Sequence, residues 1–121
     1  MRIVELTVRA GGAVDGISVK YPNGDVLSQG GDGGQAKSLF LAEGEYINQV
    51  EIRAGKVVQC LTFVTNKGRK MGPCGGSGGL LLGTPGKVTT VNAPNGCGLV
   101  SIKGRGGKYL DAIGFRWGPI S

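Results

Sequence analysis

The stretch that decides the fold reads VSIKGRGGKYLDAI and occupies residues 100–113. Apolar and polar side chains alternate at its start, in Val100–Lys103, and again just beyond it, in Ile113–Trp117. This alternation is typical of strands that bury one face. Between the two strands lies a glycine-rich turn of the form G-x-x-x-D, from Gly107 to Asp111. The stretch therefore predicts a β-hairpin whose tip carries a carboxylate.

Two earlier stretches have the same form. Residues 4–17 read VELTVRAGGAVDGI and residues 50–61 read VEIRAGKVVQCL, where Gln59 replaces the acid. A second element, GGxGG, follows at 30–34 and at 75–79, and a third copy would fall beyond the end of the sequence. Three repeats of a four-strand unit cannot each bury a face alone, so we expect them to share one core.

The remaining sequence also favours strands over helices. Glycine, Asn-Gly and proline interrupt the chain every 8–12 residues or so, the spacing of an all-β sandwich or barrel-like fold. Asn23-Gly24 and Asn95-Gly96 are typical of tight turns. No segment keeps a 3.6-residue apolar period long enough for a helix. We expect one all-β domain that spans residues 1–121.

The composition excludes several classes of protein. Glycine accounts for 25 of 121 residues, but without a three-residue period and with only 5 prolines the chain is not collagen-like. A hydrophobic fraction of 40% argues against a disordered tail. No apolar run is long enough for a membrane span, and no leader peptide is recognisable. These features predict a protein that is cytoplasmic or exported by a non-classical route.

The residues that usually support catalysis or metal binding are scarce. The sequence has no histidine, which removes the commonest general base and the usual zinc and iron ligands. Cys60, Cys74 and Cys97 are not at CxxC spacing, and their odd number does not indicate a disulfide scaffold. Residues 31–36 fit GxGxxA, but no helix follows, which argues against a dinucleotide site. We expect no enzyme activity, no metal and no cofactor.

The net charge of +6 raises the affinity of the chain for polyanions in general. The positive charges are densest in two groups: Lys67, Arg69 and Lys70, and Lys103, Arg105 and Lys108. Each group is either a solvated loop or a patch for an anionic partner, and the sequence leaves both interpretations open. Nucleic acid is not among the partners that we expect.

The G-x-x-x-D turn has a definite chemistry. Glycine tolerates positive φ, so consecutive backbone N–H groups can converge on one point, and the acidic residue directs its carboxylate to the same point. Donors and an acceptor placed together complement vicinal hydroxyls, each of which both donates and accepts. A neighbouring GGxGG loop adds an N–H with no side chain to block approach. The pattern predicts a shallow sugar pocket that needs neither a metal nor a catalytic base.

Nearly the whole chain resembles the jacalin-related lectins. The resemblance is carried by four segments: FLAEGEYI at 40–47, LTFVTNKG at 61–68, GPCG at 72–75 and KGRGGKYLDAIGF at 103–115. It implies a β-prism I fold of three Greek-key sheets with a pseudo-threefold internal repeat. It also implies binding of mannose-type sugars or, in some members, galactose-type sugars.

The resemblance implies two carbohydrate sites. In the third repeat Asp111 would accept from two sugar hydroxyls, Lys108 and Tyr109 would donate backbone N–H groups, and the Tyr109 ring would pack on the sugar. In the first repeat Asp15 would act with the N–H groups of Gly12 and Ala13 and with Gly34 as a further donor. The second repeat is expected to be silent, because the amide of Gln59 is a weaker acceptor than a carboxylate. The full set is Gly12, Ala13, Asp15, Gly33, Gly34, Gly107, Lys108, Tyr109, Leu110 and Asp111.

The start of the chain departs from the family pattern. Family members open with a strand, a GG loop and a second strand, whereas here Met1 leads directly into the Ile3–Arg9 strand. Two of the usual twelve strands are therefore expected to be absent. Another chain could complete the prism, the prism could close with fewer strands, or residues 117–121 could substitute in part. An exposed sheet edge invites pairing with a second copy, so we expect a homodimer or a higher oligomer.

Three functions remain in competition. The first is a non-catalytic lectin for mannose- or glucose-type glycans, including those on glycoproteins. The second is a binder of anionic, sulfated polysaccharide through Lys103, Arg105 and Lys108. The third is an interaction or targeting module with inactive sugar sites.

Overall fold

The computed structural model describes residues 2–76 and 86–120, and the regular structure in these residues consists of ten strands. All of their pairings are antiparallel. The predicted all-β class is therefore confirmed. The strands are β1 (Glu5–Ala10), β2 (Val14–Lys20), β3 (Val26–Gly30), β4 (Gln35–Phe40), β5 (Ile47–Ala54), β6 (Val58–Thr65), β7 (Lys70–Gly75), β8 (Lys87–Asn92), β9 (Cys97–Arg105) and β10 (Ala112–Pro119).

The strands form three sheets. The first has the order β3-β2-β1-β4 and the second the order β7-β6-β5-β8. In each of these four-stranded sheets, the first two strands in the sequence lie at the centre and the next two lie at the edges. In the described part of the chain the third sheet is the β9–β10 pair alone. Three sheets with a two-stranded third sheet match the predicted β-prism that lacks two strands.

The alternation of side chains explains why these segments pair. In β1, Leu6 and Val8 are fully buried, while Glu5 and Thr7 are only partly buried. The β1–β2 and β5–β6 pairs each contain a bulge beside the turn, and the extra residue lies on the second strand of the pair, Asp15 in β2 and Gln59 in β6. A bulge bends the strand and strengthens its twist. The first two hairpins therefore enter their glycine turns with the same local geometry.

The core lies between the three sheets. Phe63 of the second sheet is fully buried and packs edge-to-face on Phe115 of the third, with ring centroids 6.2 Å apart and planes at 84°. Leu99 and Ile102 of β9 are also buried in this core. The two-stranded third sheet thus closes the prism with aromatic and aliphatic side chains. No helix in the described ranges is long and apolar enough to cross a membrane.

The three predicted turns meet at one end of the prism. Val14, Val58 and Leu110 precede Asp15, Gln59 and Asp111, respectively, and each is at most 1% exposed. The Leu110 N–H donates to the Val14 carbonyl at 3.1 Å, and the Val58 N–H donates to the Leu110 carbonyl at 2.7 Å. These bonds hold the three turns side by side, so the polar residue after each apolar one faces the same end of the molecule.

Candidate functional site

The first turn places Asp15 against a glycine loop. Asp15 is the second residue of β2 and is 7% exposed, and the Gly31 N–H donates to its backbone carbonyl at 2.8 Å. A β-carbon added at Gly33 would lie 2.7 Å from the Asp15 Oδ2, and one added at Gly34 would lie 2.6 Å from Oδ1. Real β-carbons do not approach oxygen so closely. Glycine at both positions therefore lets the loop lie directly on the carboxylate.

The groups around Asp15 have unused hydrogen-bonding capacity. Within residues 2–76 and 86–120 neither Asp15 carboxylate oxygen accepts a hydrogen bond. The backbone N–H groups of Gly12, Ala13 and Gly34 likewise find no acceptor in those ranges. The Asp15 oxygens are open to solvent, because no buried side-chain nitrogen or oxygen in the described residues lacks a hydrogen-bond partner. A carboxylate and several amide donors held together and unpaired are suited to a ligand that both donates and accepts.

Arg9, at the end of β1, fixes the position of this loop. Its Nε donates to the carbonyls of Asp32 and Gly33 at 2.9 and 3.1 Å, and its terminal nitrogen donates to the Gly34 carbonyl at 3.4 Å. The loop carbonyls thus turn toward Arg9. This contact was not predicted from the sequence, although the outward position of Arg9 near the end of a strand, with a glycine loop elsewhere in the same repeat, is a usable signal.

The second turn is closed by its own side chain. Gln59 is fully buried, and its Oε1 accepts a hydrogen bond from the Gly86 N–H at 2.7 Å. Gly86 directly precedes β8, just as Gly34 directly precedes β4. Glutamine is one methylene longer than aspartate and reaches the loop amide. Residues 77–79 of the second GGxGG element lie outside the described residues.

The third turn has a different environment. Asp111 is exposed, and the Lys108 Nζ lies 5.5 Å from the centre of the partly buried Tyr109 ring. Leu110 is fully buried, and both its N–H and its carbonyl are used in bonds to the other turns. The backbone N–H groups of Lys108 and Tyr109 have no acceptor among the described residues. The predicted donors are therefore open, while Leu110 anchors the turn.

One glycine loop lies between the two aspartate turns. A β-carbon at Gly31 would be 2.7 Å from the Gly107 carbonyl and 2.6 Å from that of Lys108, whereas Gly33 and Gly34 touch Asp15. In the described part of the chain, no glycine packs on the Asp111 carboxylate. The structure thus places Gly33 and Gly34 on Asp15, the residue that closes the turn containing Gly12 and Ala13, and leaves Gly107–Asp111 on the other side of the loop; we call these five residues, Gly12, Ala13, Asp15, Gly33 and Gly34, the Asp15 cluster.

A buried carboxylate at the opposite end of the prism is fully paired. Glu45 is 3% exposed and accepts hydrogen bonds from Ala42 N–H at 2.9 Å, from the Thr65 hydroxyl at 2.8 Å and from Arg69 at 2.7 and 2.9 Å. Arg69 also donates to the Phe40 carbonyl. The hydrogen bonds from Arg69 and then that from Ala42 lower the pKa of Glu45 from 4.5 to about 2. The loop around Arg69, one of the two basic groups in the sequence, thus has a structural role.

Neither a metal site nor the apolar cavity at the Glu45 end is a strong candidate for the functional site. The described residues contain no group of three or more histidine, cysteine, aspartate or glutamate side chains able to hold a metal. A cavity of about 500 Å³ at the Glu45 end is lined mainly by apolar residues such as Ile3, Leu41, Leu99 and Ile120. Glu45 lines it as well, but its oxygens are already occupied. The Asp15 cluster remains the best candidate site.

Comparison with known proteins relates the chain to lectins. The family model described as "Jacalin-like lectin domain" matches residues 1–116. The chain is 34% identical over 109 residues to griffithsin from Griffithsia sp. (strain Q66D336), an alignment that covers 89% of this chain and 78% of griffithsin.

Two solved structures are similar over most of their length. One is artocarpin in complex with mannopentose, with a TM-score of 0.79 and 27% identity over 98% of this chain and 84% of that chain. The other is frutalin from Artocarpus incisa in complex with galactose, with a TM-score of 0.78 and 26% identity over 98% of this chain and 92% of that chain.

Proposed function

The chain belongs to the jacalin-like lectin family, whose members bind carbohydrate without catalysis, and on that premise we propose that the Asp15 cluster is its principal sugar site. The proposed ligands are glycans of the mannose or glucose type, and the Gly107–Asp111 turn is a second, more open site. One observation carries the proposal: the Gly33–Gly34 loop lies directly on the Asp15 carboxylate, which accepts no hydrogen bond from the described residues.

The proposed binding mode uses the Asp15 carboxylate and two of the three amide donors. Two neighbouring hydroxyls of a hexose donate to the Asp15 carboxylate oxygens, and the same hydroxyls accept from the N–H groups of Ala13 and Gly34. Hydrogen bonds to a carboxylate are stronger than neutral ones. The Gly33–Gly34 backbone lies so close to the carboxylate that the slot is narrow. The 4-hydroxyl is equatorial in mannose and glucose and axial in galactose, and a 3,4-pair of equatorial hydroxyls extends roughly along the plane of the ring and suits such a slot better.

The two similar lectin structures support sugar binding, and they are consistent with either a mannose-type or a galactose-type ligand. Artocarpin is in complex with mannopentose and frutalin with galactose, so the fold accommodates either. Our preference for the mannose class rests on the narrow slot at Gly34. Tyr109 at the third turn offers a partly exposed ring face on which a sugar could stack.

Competition with free monosaccharide tests the function. We expect binding to a mannose-rich glycoprotein to be displaced by methyl α-mannoside and to be lost in Asp15→Ala plus Asp111→Ala. Removing the two hydrogen bonds to the Asp15 carboxylate costs about 3 kcal/mol, or roughly a hundredfold in affinity. Glu43→Ala plus Glu51→Ala removes two exposed carboxylates away from the turns and serves as the control. Glycan binding that survives in the Asp15/Asp111 variant would reject the assignment.

We also propose that the chain self-associates through the third sheet. β9 and β10 pair only with each other among the described residues, so each has a free edge. On the β9 side, the Tyr21 hydroxyl already donates to the Val100 carbonyl at 2.7 Å, which leaves the β10 edge as the more open one.

Light scattering is expected to give at least twice the 12.4 kDa mass of the chain. A monodisperse monomer at high concentration would contradict this. Because single shallow sites are weak, association would also raise avidity.

A further inference from the structure

We propose that the outer face of the β9–β10 sheet is a second binding surface, for a sulfated polysaccharide, separate from the aspartate turns. This goes beyond the proposed lectin function, because it uses a different surface and a different chemistry. We call it the cationic face. It is defined by Ser101, Lys103, Arg105, Ala112, Gly114 and Arg116.

The register determines which residues share this face. Ile102 is 2% exposed, and its cross-strand partner Phe115 packs on Phe63, so this pair points into the core. Side chains alternate along a strand, and their neighbours therefore point outward. The outward residues of β9 are Ser101, Lys103 and Arg105, which pair with Arg116, Gly114 and Ala112, respectively. A β-carbon at Gly114 would lie 3.8 Å from that of Lys103, which places both on one side.

The three cations on this face are exposed and free. Lys103, Arg105 and Arg116 are exposed, and none of them makes an ion pair or a side-chain hydrogen bond within residues 2–76 and 86–120. Between Lys103 and Arg105 lies a shallow depression of about 410 Å³ whose floor includes Ala112 and Gly114. Lys108, which the sequence grouped with these charges, lies in the turn beyond the strands, and the register puts Arg116 in the group instead.

The other two sheets show that this charge pattern is particular to the third. On the outer face of the first sheet, Glu5 lies directly opposite Lys20. On that of the second, Glu51 and Arg53 are two residues apart on β5 and so point to the same side. Each of those faces carries an acid beside its cations. The cationic face has three positive charges and no acid among its six residues.

The floor of the face indicates the class of polyanion. No aromatic side chain is present on it, so it offers no stacking surface for nucleic acid bases. Ala112 is its only apolar side chain, so it has nothing to insert into a bilayer. Small residues leave the backbone accessible to flat sugar rings, and two arginines offer bidentate donors to sulfate oxygens. Arg105 leads into the Gly107–Asp111 turn, so one polysaccharide could extend from the turn onto the face.

The test measures binding of the full chain to sulfated dextran of defined length, with uncharged dextran as the control ligand. Excess methyl α-mannoside is present throughout, because dextran is a glucose polymer that the sugar sites would also bind. The patch variant carries Lys103→Gln, Arg105→Gln and Arg116→Gln. The control variant carries Lys20→Gln, Lys56→Gln and Lys87→Gln, three exposed lysines elsewhere, so that both variants lose the same charge. Thermal unfolding of both variants verifies that they are folded.

We expect the control variant to bind like the wild type and the patch variant to bind at least tenfold more weakly at low salt. Between about 50 and about 150 mM salt, the wild type should lose about tenfold more affinity than the patch variant, because fewer counterions are released. Asp15→Ala should bind sulfated dextran normally, which separates this surface from the sugar site. Equal losses in both triple variants would overturn the proposal. Equally tight binding to single-stranded DNA or to phosphatidylserine vesicles, or no binding to sulfated dextran, would do so as well.

Discussion

Replacing Gly34 by alanine is expected to abolish monosaccharide binding at the Asp15 site. The new β-carbon would lie 2.6 Å from the Asp15 Oδ1 and 2.8 Å from the Ala10 backbone, so the loop or the carboxylate must move. Gly34 also has a φ of +73°, where an alanine costs about 1 kcal/mol or more. We expect a roughly hundredfold fall in affinity for methyl α-mannoside, measured by NMR titration, because the carboxylate and the loop amide no longer converge.

Gly44→Ala provides the matched control for this variant. Gly44 has a φ of +74°, almost identical to that of Gly34, but no atom lies within 4 Å of a β-carbon placed there. The two variants therefore share the backbone strain and differ in the contact with Asp15. Both should lower the thermal unfolding midpoint, and only Gly34→Ala should lose the sugar. If Gly44→Ala loses sugar binding equally, or if Gly34→Ala retains it, the close approach of the loop to Asp15 is not what makes the site.

The cluster around Asp15 was predictable because its signals are local. A glycine-rich turn and the acid that closes it lie within a few residues, and a repeated GGxGG element marks the facing loop. For Gln59 the local pattern did not indicate the physical reason for the silent turn. The sequence suggested a weak acceptor, whereas the structure shows a side chain that reaches the Gly86 amide itself. That contact spans two strands and the connection between them, so no local pattern reveals it.

Other contacts between distant segments could not be predicted from the sequence either, because no local pattern reveals them. Arg9 holds a loop more than twenty residues away, and Arg69 pairs with Glu45 across a similar separation. The register of β9 and β10 likewise decides that Arg116, opposite Ser101, shares a face with Lys103, and that Lys108 does not. Alternation and turn residues predicted most strands, whereas the expectation of two absent strands came from the resemblance to the lectin family. The identity of the cross-strand neighbours follows only from the register, which a bulge shifts at Arg116/Trp117.

The paired carboxylate at the other end of the prism is expected to control stability at low pH. The folded-state pKa of Glu45, about 2, lies below its ordinary value of 4.5, so between these values the unfolded chain binds more protons. The stabilisation from Glu45 is therefore fully present above about pH 4.5 and is lost as the pH falls toward about 2. Urea unfolding of the wild type should show this loss as a falling free energy of unfolding.

Glu45→Gln isolates the contribution of this group. The amide keeps the shape of the side chain but turns one acceptor into a donor that faces Arg69 and Thr65. We expect a loss of about 2 kcal/mol at pH 7, because a buried acceptor of charge-assisted hydrogen bonds is removed, and the exposure of Arg69 keeps the loss at the lower end of the range for a broken buried pair. The difference from wild type should shrink as the pH falls toward about 2, where the wild-type carboxyl also becomes neutral. Glu43→Gln, an exposed neighbour, should leave both the stability and its pH dependence unchanged. A difference between Glu45→Gln and wild type that is constant across this pH range would show that packing, rather than the charge on Glu45, holds this end of the prism.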